Sequence, residues 1–384
     1  MIERTAIRQM TAPDNRHSTA PAVVPVDSPA AFFSREISWL AFAERVLAMV
    51  DDRSLPLLER VKFAGIMGML HDEFFMKRVG KMKRAIRNGV TDRASNGRTP
   101  VEELAACRIV VREQIQRLIA AVEGALRDDL AGAGIPLVDH ADLTARQRDH
   151  VRRYFERSVE PILTPLAVDV VHPFPFISSL GLNLAVVLPV PDTDDERFVR
   201  IKVPGNRPRW VPLPSGAGFV PLEQVIAANL DVMFPATPPV ACHVFRVTRA
   251  VEGQVNEGSE ELTEPGSIVP FVNGKLKARR FAEVVRLEVD ASMSDHLVGW
   301  LSEQLGIGGD DVYRMGQFLG LSAFASLSVP PGERRYARQG ELRGVRGEEA
   351  HQEAESEPHS HGLPHALGER APGQHGHDQQ GPRL

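Results

Sequence analysis

The residues best equipped for chemistry crowd into one stretch, where His71-Asp72-Glu73 is followed by Lys77, Arg78, Lys81, Lys83, Arg84 and Arg87. An imidazole beside two carboxylates suggests metal ligation or an acid–base pair. Adjacent residues on a helix point in different directions, however, so a solvated or structurally paired role is the competing reading. Lys77, Lys81 and Arg84 recur at helical spacing on one face, which would attract an anionic polymer. The plainer alternative is a solvated face near a helix C-terminus, where cations complement the dipole. Six histidines near the end, His351, His359, His361, His365, His375 and His377, are too irregularly spaced for a structural metal site. No GxxxxGK[ST] loop and no H-x-K pair occurs. These spacings therefore assign no catalytic residue and no metal ligand.

The elements that must position these groups are mostly helical at first. Leu55 to Asn88 reads as one long helix, with Pro56 in its first turn, where a missing N–H costs nothing, and Leu57, Val61, Ala64, Met67, Leu70, Phe74, Val79, Met82 and Ile86 at helical spacing. Ser38 is a plausible N-cap for a preceding helix whose Trp39, Phe42, Val46 and Met49 would pack against it. A third helix opens at Thr99-Pro100-Val101-Glu102, a capping box with proline at the first helical position, and carries Leu104, Val111, Ile115, Leu118, Val122, Leu126 and Leu130. Gly132 and Gly134 end it. These three make an all-α N-terminal domain over 31–135. Thr144 and Gln147 form a second capping box, for a helix ending near Pro161.

From there the period shifts towards two. Strand-like runs occur at 183–190, 198–203, 242–248, 284–289 and 312–315, with helices near 221–233 and 294–305. The fold class expected is therefore α+β, the second domain covering 136–328 on a mainly antiparallel sheet. Residues 252–270, rich in Gly and Pro, read as a loop. Residues 1–30 lack periodicity and read as a disordered leader. Residues 329–384 contain no Ile, Phe, Met, Trp, Cys, Lys, Asn or Thr, and read as a disordered tail that a lost reading frame near 328 would produce.

Composition narrows the classes. A net charge of −5 argues against a general nucleic-acid-binding surface, and no window approaches 18 apolar residues, so neither a specific nucleic acid nor a membrane span is expected. Cys107 and Cys242 lie far apart outside any CxxC pattern, which fits a reduced, cytoplasmic setting.

Four blocks in order carry a family resemblance: REISWLAF (35–42) with SLPLLER and MLHDEFFMKRVG (69–80); HPFPFISSLGLNLAV (172–186); FVPLEQVIAANLDVMFP (219–235); and FAEVVRLEVDASM (281–293). They resemble the N-terminal and head domains of type 1 polyphosphate kinases. The resemblance implies reversible transfer of the terminal phosphate of ATP to polyphosphate through a phosphohistidine, with magnesium, by residues of two C-terminal domains expected beyond this chain. No histidine here stands in that phosphoacceptor context, so the chain is expected to be truncated and inert alone. The family's adenine-contacting asparagine corresponds to Leu70, which can pack but not hydrogen-bond. The implied partners are ATP, polyphosphate and further copies through the head domain. The rival readings are a non-catalytic dimerisation or regulatory partner of an intact kinase, and an anion-binding module using Lys77, Lys81 and Arg84.

Overall fold

The computed structural model describes residues 25–168, 173–191, 193, 195–251 and 282–327. The expectations for residues 1–24, the 252–270 loop and the 329–384 tail lie outside them. Residues 25–30, the end of the expected leader, enter a turn and the 3₁₀ turn Pro29–Ala31.

Helix α1 runs Arg35–Asp51. Its cap is Ser34, not Ser38: the Ser34 hydroxyl accepts from the Ile37 N–H at 3.0 Å, satisfying one of the orphan donors of the first turn. The buried face is Leu40, Ala43, Leu47 and Val50 rather than the expected Trp39, Phe42, Val46 and Met49. Trp39 stacks on Phe74 at 5.1 Å, whereas Phe42 is 46% exposed.

The expected long helix is continuous but not uniform. It comprises α2 (Leu57–Glu73), a π-helical turn (Phe74–Val79) and α3 (Gly80–Arg87), with Pro56 at the cap position rather than inside the first turn. A π turn admits an extra residue, and since each residue of an α-helix advances about 100°, it rotates the side chains of α3 about the axis relative to those of α2. Helices α4 (Pro100–Glu123) and α5 (Ala125–Gly132) replace the single expected third helix, broken at Gly124. Both halves of the Thr99–Glu102 capping box are made. The stripe Leu104, Val111, Ile115, Leu118, Val122, Leu126 and Leu130 is buried against α1 and α2. Gly65 and Gly68 let α2 approach a 3₁₀ segment, Leu321–Ser326, very closely. A Cβ at either would lie 2.2 Å from the Ala325 nitrogen or 2.3 Å from that of Ser322.

The second part is built on a six-stranded sheet. After α6 (Ala145–Tyr154), whose Thr144–Gln147 capping box is also made, come β1 (Leu166–Val168), β2 (Leu182–Pro189), β3 (Glu196–Lys202), β4 (Trp210–Pro212), β5 (Phe219–Pro221), α7 (Leu222–Ala227), α8 (Leu230–Met233), β6 (Ala241–Arg249), β7 (Val284–Asp290), α9 (Asp295–Leu305) and β8 (Val312–Met315). The sheet order is β1-β3-β2-β6-β7-β8, antiparallel except for β7–β8, while β4 and β5 pair separately. The α+β class and the mainly antiparallel sheet are as expected. Strands β1, β4 and β5, three residues each, are additional to the expected set, because alternation has no room to register in so short a run.

Alternation sorts the long strands. Leu184, Val186, Val199 and Ile201 form one core with Val151, Phe155, Val225 and Ile226. Ala185, Phe198, Phe245, Val247, Leu287 and Val289 form another with Leu301 of α9. The intervening residues of β6 and β7, Arg246, Thr248, Arg286 and Glu288, are polar yet buried. Two of them, Arg246 and Arg286, reach Asp72 on α2.

Candidate functional site

The expected chemistry of His71-Asp72-Glu73 resolves into three separate fates. Asp72 is 8% exposed and accepts two hydrogen bonds from Arg246, at 2.9 and 2.6 Å, and a third from Arg286. Glu288 completes the group by pairing with Arg246. Two guanidinium groups and two carboxylates thus neutralise one another where α2 meets β6 and β7. Arg286 also donates to the Thr248 hydroxyl and lies 4.4 Å from the centre of the Phe75 ring. Burial opposes ionisation of Asp72, but Arg286 and Arg246 outweigh it and hold the carboxyl below its usual range. For Arg246 burial likewise opposes the charge, and Glu288 and Asp72 overcome it and raise the pKa.

His71 faces the helical core instead. Its Nε2 lies 3.3 Å from Oε1 of Gln114, whose amide nitrogen donates to the Leu40 carbonyl. That fixes Gln114 Oε1 as an acceptor and makes His71 Nε2 the donor. Burial, assisted by the nearby Arg286 charge, lowers the His71 pKa to about 4, so the ring is neutral near pH 7. Glu73 points outward to Lys77 at 2.7 Å.

Above this network lies a cleft of about 1110 Å³ between the helical part and the sheet. One wall is Met69, Glu73, Met76 and Lys77; the others are the 178–182 loop, the 202–209 connection from β3 to β4, and residues 320–326. Most of its charges are compensated. Arg209 pairs with Glu223 and donates to the Gly320 carbonyl, Arg246 belongs to the buried network, and Lys77 pairs with Glu73. Among the described residues, Lys202 has no carboxylate partner and Arg207 makes one hydrogen bond, from Nε to the Ser158 carbonyl.

The site residues read from the sequence are scattered. Lys77 lines this cleft, Lys81 lines a different hollow with Arg35, Glu36 and Asn96, and Arg84 turns towards the Val251 carbonyl at 3.5 Å. The π turn falls among them and breaks the single face that uniform helical spacing implied. Leu70 is half-buried and packs on the helical core. Ser178, Lys202 and Arg207 bring polar atoms to the cleft without having stood out in the sequence. The block containing Ser178 is conspicuous there, but its proximity to Lys202 depends on β2–β3 pairing, which sets Asn183 opposite Lys202. Among the described residues no group of three His, Cys, Asp or Glu side chains could hold a metal ion, and no helix is long and apolar enough to cross a membrane.

The polyphosphate kinase N-terminal domain profile matches residues 32–138, and the polyphosphate kinase middle domain profile matches 146–327. A polyphosphate kinase of Synechocystis sp. is 41% identical over 316 residues, covering 79% of this chain and 43% of the relative. One from Mycobacterium avium is 38% identical over 350 residues, covering 84% and 47%. The crystal structure of the polyphosphate kinase from Porphyromonas gingivalis superposes with a TM-score of 0.63 at 25% identity, covering 79% of this chain and 42% of that one. The chain thus spans less than half the length of these relatives.

Proposed function

The chain belongs to the polyphosphate kinase family, and from that premise we propose that it takes part in reversible transfer of the terminal phosphate of ATP to inorganic polyphosphate. The observation that supports this reading is the match of two family profiles, in order, to 32–138 and 146–327. In this reading the helical domain (31–135) and the middle domain (136–328) supply scaffold and anion binding, and the 384-residue chain alone performs no transfer. Phosphoryl transfer depends on positioning and charge neutralisation around an accessible acceptor. His71 is buried, neutral and committed to Gln114, so it does not meet that requirement. Leu70 offers an adenine ring van der Waals contact only. Of the three basic candidates Lys77 is the one that faces the cleft. Magnesium, which the family implies, finds no fit among the described residues of this cleft: Asp72 is engaged by two arginines and Glu73 by Lys77. Pairing of copies through the middle domain belongs to the same proposal and is read by light scattering of the purified chain.

The test combines the purified chain with the separately produced, unmatched remainder of the Synechocystis relative and follows ATP-dependent polyphosphate synthesis. Synthesis by the mixture, but by neither part alone, is the expected result. A mixture that forms a complex and stays inactive contradicts the reading.

A further inference from the structure

The loop Ser178-Ser179-Leu180-Gly181 is held in a conformation that its own sequence does not favour. Leu180 has φ +66°, a left-handed conformation that is strained for a non-glycine residue. Four anchors keep it there. The Leu180 N–H donates to the Val247 carbonyl at 2.8 Å, Arg246 Nε donates to the Leu180 carbonyl at 3.0 Å, the Arg249 N–H donates to Ser179 Oγ at 3.0 Å, and Asn183 donates to the Gly181 carbonyl at 2.8 Å. Within this fixed loop the Ser178 hydroxyl is buried and has no hydrogen-bond partner among the described residues. Buried hydroxyls are nearly always satisfied, and an orphan at a cleft wall calls for an occupant.

The space beside that hydroxyl is kept open by glycine. A Cβ at Gly181 would stand 3.3 Å from Ser178 Oγ and 3.6 Å from Cε of Lys202, so the hydroxyl and the lysine stem flank one small cradle. Lys202 is exposed, without a carboxylate partner among the described residues, and Arg207 on the same wall keeps its two terminal nitrogens uncommitted there. A rigid hydroxyl beside the Lys202 stem, with Arg207 lining the same cleft, is a donor set for a tetrahedral oxyanion.

We infer that Ser178, Lys202 and Arg207 form a binding site for a phosphoryl group of a linear phosphoanhydride, with the chain of phosphates running along the cleft wall towards Lys77. The ligand class rests on the family reading; the oxyanion site itself rests on the geometry. The same chemistry is offered by a nucleotide triphosphate tail and by inorganic polyphosphate, and the two are separated by experiment.

Calorimetric titration of the full chain with tripolyphosphate, long-chain polyphosphate, ATP and adenosine provides the test. Binding of tripolyphosphate and polyphosphate, with adenosine silent, is expected; ATP that binds no better than tripolyphosphate identifies the phosphates as the recognised part. Lys202→Gln and Arg207→Gln should each weaken polyphosphate binding tenfold or more and flatten its salt dependence. Ser178→Ala and Gly181→Ala should weaken it severalfold with unchanged circular dichroism, while Lys81→Gln, on another surface, leaves it as it was. Tight ATP binding that survives all four substitutions would mean a nucleotide site elsewhere and overturn the assignment. Absence of phosphate binding by a folded chain would overturn it too, while leaving the phosphotransfer test with the remainder free to succeed.

Discussion

Asp72→Asn should cost far more stability than its size suggests. The substitution preserves shape but deletes one of two carboxylates that neutralise Arg246 and Arg286 in a region where all three side chains are at most 11% exposed. Glu288 alone then faces two guanidinium groups, leaving a net buried positive charge. Breaking a buried ion pair by removing one partner typically costs about 3–5 kcal/mol, because the stranded charge keeps its desolvation penalty. In a folded region of this size each kcal/mol moves Tm by about 2–4 °C, which makes the expected fall on the order of 10 °C. Circular dichroism at 222 nm reports the helices, and tryptophan fluorescence reads Trp39 on one side of the network and Trp300 on the other. Both signals should shift together, since Asp72 sits on α2 and its partners on β6 and β7. An exposed pair such as Lys62–Glu59 provides the contrast, and Lys62→Ala should change stability by less than about 1 kcal/mol. A loss below about 1 kcal/mol for Asp72→Asn would refute the claim that this network joins the two parts.

Other perturbations have equally definite outcomes. His71 has a folded pKa of about 4 against an ordinary 6.5, so the unfolded chain binds more protons between these values. Its contribution is complete well above pH 6.5 and is lost as pH falls towards 4, the loss reaching about 2 kcal/mol by pH 5; urea denaturation across this window should show the slope, and His71→Leu should flatten it. Below that window the depressed Asp72 carboxyl adds its own loss as it protonates. Gly68→Val should push the Leu321–Ser326 segment off α2, costing about 1–3 kcal/mol in denaturant midpoint and exposing Trp210, whose indole donates to the Ala323 carbonyl at 3.0 Å. Thr99→Ala should remove about 1 kcal/mol by undoing the capping box, measurable by thermal melting.

What could be read from the sequence was whatever chemistry is local. Thr99 with Glu102 and Thr144 with Gln147 announce their helices within four residues, and both boxes are formed. The apolar stripe of α4 and α5 was legible for the same reason. The junction was not, because Arg246 and Arg286 lie 174 and 214 positions from Asp72. A trace of it was present all the same: Arg246-Val247-Thr248 and Arg286-Leu287-Glu288 alternate polar with apolar inside strands of a sheet covered on both faces. Such a pattern demands buried partners of opposite charge, and Asp72 is one. The shared face of Lys77, Lys81 and Arg84 failed for a different reason, since a π turn has no propensity signal and shifts the helical phase of every later residue.

The most direct measurement incubates the purified 384-residue chain with labelled ATP, magnesium and polyphosphate, and assays acid-labile phosphohistidine together with chain elongation. Neither product is expected, with polyphosphate nevertheless retained by the folded protein. Phosphohistidine accompanied by elongation would contradict this expectation and place the phosphoacceptor among the histidines of this chain.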